Sequence, residues 1–548
     1  MVGVLSMLLF SGGVASATSF VPISGEGSSW SANAIDQWIS DVQADGMRVN
    51  YTANGSTAGR QDWISGITDF AATDIPFQTD PTDGTSAPEH PQAGSYAYMP
   101  ITAGGTVFMY NLKINGQQVT NLRLSGENIA KIYTGQITNW DSPLLAADNP
   151  GLKLPNQEIV PVVRADGAGS SYELSEWMIS QYPSVWNAYC NAAGRNGQCG
   201  PTSFWPTGPD PAMIAKSGDL GVAADVSASY ANGSIGYVEY SYALNDHFPV
   251  VQMLNAAGYY TEPTAQNVAV SLLAAKINTD ASNPAVYLTE NLQGVYTDPD
   301  PRTYPLSSYS YLILPTKVQG QFSAAKGTTL AAFSYFAMCQ GQQQSAELGY
   351  SPMPINLVEA SFAQIAKIPG ADVHSVNIQG CNNPTFSPNG TNLLVASAPY
   401  PPACDKQGPT QCSTATGGAA VVVTLGGATT TTAAGGSKTS TTQAAGTSGT
   451  GSTGGSSSTG SATGTGGGSS ASGSSSACDP SAGNCSASSA ASSTNDNPLP
   501  LTSTIPVSSG WGTTETLISL IIVLVLAIIF LPGLLVGYLD RRAGRRTP

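Results

Sequence analysis

The sequence predicts an α/β globule over residues 18–412, followed by a low-complexity tether and one membrane-spanning helix. Short apolar runs alternate with segments of helical periodicity between Thr18 and Cys412. Within that stretch a unit of strand, small-residue loop and helix occurs three times. Beyond it the composition changes, first to Ser, Thr, Gly and Ala, then to an apolar run broken in polarity only by Ser519.

Residues 1–17 (MVGVLSMLLFSGGVASA) combine an apolar run with Ala15-Ser16-Ala17, the small-x-small pattern of a secretory signal cut after Ala17. The first unit has a predicted strand over Phe20–Ile23 and a loop from Ser24 to Ser29. A helix follows, whose face carries Trp30, Ala34, Ile35, Trp38, Ile39 and Val42. The second has a strand over Met47–Tyr51, the loop Asn54-Gly55-Ser56-Thr57-Ala58-Gly59, and a helix through Trp63, Ile64 and Ile67. Asp74 ends a strand-like run that begins after Asp69. In the third unit, Ile159–Val163 leads through Arg164-Ala165-Asp166-Gly167-Ala168-Gly169-Ser170-Ser171 into a helix bearing Tyr172, Leu174, Trp177 and Met178.

Eight cysteines form four sequence-neighbour pairs: Cys190 with Cys199, Cys339 with Cys381, Cys404 with Cys412, and Cys478 with Cys485. An even count in an exported chain favours structural disulfides, although sequence leaves their connectivity open. No CxxC redox motif occurs. Residues 413–510 bury too little apolar surface to offset the entropy of ordering, so they read as a disordered linker. Such a coil of ~100 residues has an r.m.s. span of ~50–60 Å. Within it, Ala419–Leu425 is a candidate edge strand. Residues 517–539 are apolar and would rise ~34 Å as a helix, enough to cross a bilayer. The basic tail 540–548, with Arg541, Arg542, Arg545 and Arg546, places the C-terminus in the cytoplasm and the globule outside the cell membrane.

The charge balance sets limits on function. With 20 Lys+Arg against 35 Asp+Glu, a net charge of -15 excludes a broad electrostatic grip on nucleic acid. Three histidines, His90, His247 and His374, leave few ligands for a metal centre and few partners for a Ser/His/Asp hydrolase. The three loops suit another chemistry. A helix N-terminus presents unpaired N–H groups and the positive end of its dipole, and glycine lets an anion approach. Each loop alone could be an ordinary N-cap; three together, one with Arg164, indicate an oxyanion site. Asp74, an acceptor, would take a hydrogen bond from an oxyanion that still carries a proton, as phosphate does and sulfate does not.

In order, GEGSSW (25–30), VNYTANGST (49–57), DFAATDIP (69–76), GENIAKIYTGQITNWD (126–141), NPGLKLP (149–155), VVRADGAGSSY (162–172), SIGYVEYSYA (234–243) and LGYSPMP (348–354) resemble the motifs of the phosphate-binding proteins of ABC importers, the PstS type. The resemblance runs from about Phe20 to Ile368. It implies a two-lobed type II periplasmic-binding-protein fold, with one lobe of 18–100 and 242–412 and the other of 101–241. It also implies a phosphate site in which Ser29, the Trp30 N–H and Ser56 donate, and Asp74 accepts the phosphate proton. Arg164 would make the charged contact, held by Asp166, while Ala168, Gly169 and Ser170 donate from the third helix start. Ala168 departs from the family's Ser or Thr, and losing that hydroxyl would cost ~0.5–1.5 kcal/mol. The segment 189–211 and the stretch beyond Ile368 look like additions.

The function expected is a membrane-anchored, monomeric receptor that captures inorganic phosphate for an ABC permease, without catalysis, cofactor or nucleic acid. Two other classes remain open. One is an anchored oxyanion sensor or adhesin without transport. The other is a secreted phosphatase using Ser56 or Ser170, for which Asp246-His247 is the one suggestive pair.

Overall fold

A computed structural model describes residues 20–431, except 374–377, 382, 388–389 and 425–427, with side chains up to Ala419. The signal segment, most of the linker, the apolar run 517–539 and the basic tail lie outside the described residues. Among the described residues, no helix is long and apolar enough to cross a membrane.

Eight strands form one sheet, in the order Val49–Thr52, Ile23–Gly27, Phe70–Thr73, Ser307–Pro315, Tyr96–Tyr110, Ser234–Glu239, Val160–Arg164 and Ile214–Lys216. Tyr96–Tyr110, buried throughout, holds two lobes together. Its first part, Tyr96–Gly105, pairs antiparallel with Ser307–Pro315, and its last part, Thr106–Tyr110, with Ser234–Glu239. On each side lie three parallel strands. Parallel strands require crossovers, and helices supply most of them: Ala32–Val42 and Ser56–Ile64 in the first lobe, Gly169–Gln181 and Gly218–Ser227 in the second. The carboxyl ends of all six strands then feed loops toward one place, where open α/β sheets take ligands.

The strands of the three units sit one to four residues from their predicted bounds. Ile23–Gly27 includes Gly25 and Gly27, assigned above to a loop, because parallel pairing with Val49–Thr52 continues to Glu26. Trp30 precedes its helix instead of joining it. The second helix stops at Ile64, and Ile67 lies beyond it with 58% of its surface exposed, so the periodicity there extended past the end of the element. Buried Ala34, Ile35, Trp38 and Val42 do share the inner face of Ala32–Val42.

Disulfides join Cys190 to Cys199, Cys339 to Cys381 and Cys404 to Cys412. The fourth expected pair, Cys478 and Cys485, lies outside the described residues. The loop closed by Cys404 and Cys412 lies beside residues 121–123, although sequence placed it with the other lobe. Buried Arg123 needs acceptors: its Nη1 donates to the Cys404 and Thr410 carbonyls at 2.9 and 3.1 Å, and Asn121 Nδ2 donates to the Cys412 carbonyl at 2.8 Å. Gln252–Leu254 also pairs with Arg123–Leu124, so the small second sheet draws on residues after Ser241. Packing continues past Cys412 into the expected linker. The Thr416 hydroxyl bonds to the Thr120 and Val250 carbonyls, and the Gly417 N–H donates to Glu262 Oε2 at 2.8 Å. The candidate edge strand forms over Val421–Thr424, but pairs with Ala428–Thr431 and not with the main sheet.

Gly59 shows how tightly the first helix layer meets the sheet. A Cβ there would press on Gly27 Cα and lie 2.6 Å from the Glu26 carbonyl oxygen, both backbone atoms that cannot swing aside. At an open helix position Gly→Ala stabilises by ~1 kcal/mol. Here overpacking of ~1–3 kcal/mol outweighs that gain. Gly59→Ala should therefore lower the urea midpoint of unfolding, and an unchanged or raised midpoint would show the contact to be loose.

Candidate functional site

The first loop is held by three tyrosines. Tyr51, Tyr242 and Tyr350 donate their hydroxyls to the carbonyls of Ser28, Ser29 and Trp30 at 2.7, 2.6 and 2.7 Å. In a trans peptide the N–H points opposite to the carbonyl, so the Ser29 and Trp30 N–H groups are turned away from those tyrosines. The Trp30 indole packs edge-on against Tyr350 and donates to Thr106 Oγ1 at 3.1 Å, which fixes the turn between strand and helix.

Asp74 follows the strand Phe70–Thr73 and is buried. Ser28 and Ser310 donate to its Oδ1 at 2.7 and 2.9 Å, and Ser56 to its Oδ2 at 2.8 Å. Burial raises its pKa; the three hydroxyls work against that, and the charge of Asp219 adds to it. Across the cleft, a Cβ on Gly169 would lie 2.5 Å from Asp74 Oδ2. Only glycine allows the carboxylate so close to the start of the helix Gly169–Gln181. The first N–H groups of that helix have no intrahelical partner.

Arg164 ends its strand with its side chain buried. Its Nε donates to Asp166 Oδ1 at 2.9 Å, and a second contact joins Nη2 to Asp166 Oδ2. Nη1 meets Asp219 Oδ2 at 2.6 Å and Ser170 Oγ at 3.4 Å, while Nη2 donates to Ser29 Oγ at 2.8 Å. Burial disfavours the guanidinium charge, but the Asp219 and Asp166 carboxylates outweigh it and hold the group above its ordinary value. Ser29 Oγ also donates to Asp219 Oδ2 at 2.6 Å and accepts from the Asp219 N–H at 3.0 Å. One hydroxyl from the first lobe thus closes onto a guanidinium and a carboxylate from the second. The Thr57 N–H, donating to the Gly167 carbonyl at 2.9 Å, adds a backbone bond across the same gap.

The sequence profile of the PBP superfamily domain matches residues 13–340. A phosphate-binding protein PstS of Xylella fastidiosa is 31% identical over 349 residues, 63% of this chain and 85% of its own. A PstS of Pasteurella multocida is 32% identical over 349 residues, covering 62% of this chain and 89% of its own. The chain belongs to the PBP superfamily, among its PstS-type proteins. A Mycobacterium tuberculosis relative, phosphate-binding protein PstS 2, is 28% identical over 334 residues, 60% of this chain and 82% of its own.

This PstS-type chain departs at Ala168 further than its sequence implies. The Ala168 N–H, expected to face the ligand, donates to the Ser203 carbonyl at 3.0 Å, so neither a hydroxyl nor a free N–H remains there. Ser203 belongs to the segment 189–211, which also reaches the other lobe. Arg195 Nη1 donates to the Asp83 carbonyl at 3.1 Å and approaches its Oδ2 at 3.4 Å. Thr202 Oγ1 donates to Asp83 Oδ2 at 2.7 Å, and the Gly200 N–H to the Thr82 carbonyl at 3.1 Å. The Cys190–Cys199 disulfide closes the loop that carries Arg195.

Sequence reasoning missed Ser28, Ser310, Asp219 and the three tyrosines. Asp219 had a visible signal, since Ser217-Gly218-Asp219 is another small-residue helix start after a strand. Ser310 had none, because its role depends on the antiparallel pairing of Ser307–Pro315 with Phe70–Thr73. His247 lies at the end of the helix Tyr240–Asn245, and the serines a hydrolase would use are engaged elsewhere, Ser56 with Asp74 and Ser170 with Arg164.

Asp83 provides a test of the cross-lobe contact. Burial alone would raise its pKa, but donation from Ser86, Thr202 and Thr85 brings it down to about 2. A carboxylate held low in the folded state stabilises above its unfolded pKa of ~3.9, and that stability is lost as pH falls. The Tm difference between wild type and Asp83→Ala should therefore be largest near neutrality and shrink as pH falls from about 4 towards 2. A difference independent of pH would show that the carboxylate charge plays no part.

Proposed function

We propose that this protein is the receptor of an ABC importer for inorganic phosphate. The observation that carries the reading is one buried acceptor set among donors. Asp74 Oδ2, with one serine donor, faces the helix start at Gly169, while Arg164 and Ser170 converge from the second lobe and Ser29 joins them from the first. An oxyanion between them would take hydrogen bonds from the Trp30, Gly169 and Ser170 N–H groups, the hydroxyls of Ser29, Ser56 and Ser170, and Arg164. It would give one hydrogen bond to Asp74. Phosphate retains a proton for that bond near neutral pH; sulfate would leave two acceptors opposed. Asp166 keeps Arg164 in place, and Ala168 serves only to position the loop.

The names of the relatives agree with phosphate as the ligand. Ligand would favour the closed arrangement, because closure completes the donor set, and a permease would read that shape. The sequence of the remaining chain fits export and anchoring: a signal pattern over 1–17, a Ser/Thr/Gly/Ala-rich linker ending near Gly510, an apolar run over 517–539 and a basic tail.

Calorimetric titration of the ligand-stripped protein tests the ligand. Phosphate should bind with Kd at or below about 1 μM, some 8 kcal/mol, with little response to sulfate. Asp74→Asn should weaken phosphate and narrow its margin over sulfate, since the amide can donate to either ion. No heat with phosphate from folded protein would overturn the reading. Truncation after Gly510 tests the anchor: the protein should move from the membrane fraction to the medium, and continued retention on membranes would refute a span at 517–539.

A further inference from the structure

Asp219 places a second carboxylate on the guanidinium that would meet the ligand. Resting on the phosphate reading above, we infer that Asp219 makes this site select the singly charged, doubly protonated form of phosphate. Asp219 begins the helix Gly218–Ser227 and is buried. Its Oδ2 takes Arg164 Nη1 and Ser29 Oγ, each at 2.6 Å, and its Oδ1 accepts the Glu239 N–H at 2.9 Å. Both oxygens are therefore occupied, and the carboxylate competes with the ligand for Arg164.

The charges around it leave no surplus positive charge. Asp166 lies on the same guanidinium, so two carboxylates already match one cation, and Asp74 adds a further acidic group. Glu239, at the end of the strand Ser234–Glu239, is held well above the ordinary carboxylate range by burial and brings no positive charge. The phenols facing the site, Tyr51, Tyr237, Tyr242 and Tyr350, are raised by burial from an ordinary value of ~10 and stay uncharged at neutral pH. A dianion would enter a buried site with no cation left to balance its second charge, in surroundings that screen poorly. The monoanion carries one charge less and has a second hydroxyl to donate. Asp74 Oδ2, which holds one serine donor, accepts from one of these hydroxyls, and Asp219 Oδ2 accepts from the other once Ser29 Oγ turns from it to the ligand.

The test is the pH dependence of phosphate binding, measured by calorimetry on the full chain from pH 5.5 to 8.5. Above the second ionisation of phosphate, wild-type affinity should fall by about tenfold per pH unit, the slope of one proton taken up with the ligand. Asp219→Asn keeps the size of the side chain and an acceptor for the Glu239 N–H. It removes the charge and turns a donor toward Arg164 Nη1, which frees that nitrogen for the ligand. In this variant the alkaline slope should flatten well below tenfold, while Asp166 still holds Arg164.

A slope parallel to wild type in Asp219→Asn would overturn the inference. Should that variant not fold, wild type alone decides. Titrations in two buffers of different ionisation heat should show no proton uptake at pH 5.5 and uptake of one proton per phosphate at pH 8. Phosphate binding at pH 8 without uptake refutes selection of the monoanion while leaving the phosphate reading intact. Absence of phosphate binding at every pH would instead remove the phosphate reading itself.

Discussion

The closed form of this protein depends on burying a guanidinium. Arg164 has lost its water, and an unpaired cation in that position would be prohibitive, so every face of the group is matched: Asp166 on Nε and Nη2, Asp219 on Nη1, and hydroxyls of Ser29 and Ser170 on the terminal nitrogens. Ser29 is the member that comes from the other lobe. Closure and pairing are therefore the same event. Opening the cleft removes a hydrogen bond from the guanidinium and exposes the remainder to water, which can replace it.

The sheet explains why these groups meet. Two triplets of parallel strands end at the cleft, and each strand delivers one component: the Ser28-Ser29-Trp30 turn, Ser56, Asp74, Arg164, Asp219 and Glu239. Tyr96–Tyr110 runs through both lobes, so the two triplets of strands are held by one continuous backbone. Away from that strand the lobes touch through polar contacts, such as Thr57 to Gly167 and Asp83 to Thr202 and Arg195. Water can substitute for such contacts, whereas an apolar interface would resist separation. A receptor that must open to load and release needs an interface of this kind.

Much of this was legible in the sequence because it is local. A strand followed by a small-residue loop and a helix is a short-range pattern, and Ser29, Ser56, Asp74, Arg164 and Gly169 all stand at such junctions. The family motifs then ordered those junctions into two lobes. What escaped depends on pairing between distant segments. Ser310 reaches Asp74 only through the register of Ser307–Pro315 against Phe70–Thr73, and the carbonyl caps on the first loop come from Tyr51, Tyr242 and Tyr350, three separate segments. The loss of Ala168 as a donor has the same origin, since Ser203 comes from a segment whose place could not be read locally. Element ends were displaced because parallel pairing carried the first strand through glycines that composition assigns to a loop.

The most direct test of this account is a crystal structure of the protein grown with phosphate. The account predicts one ion in the cleft, within hydrogen-bond distance of Asp74 Oδ2, Ser56 Oγ, the Gly169 and Ser170 N–H groups and Arg164, with the lobes closed and Asp166 still on Arg164 Nε. An ion that avoids Asp74, or an empty cleft closed by the same Arg164 contacts at saturating phosphate, would contradict it.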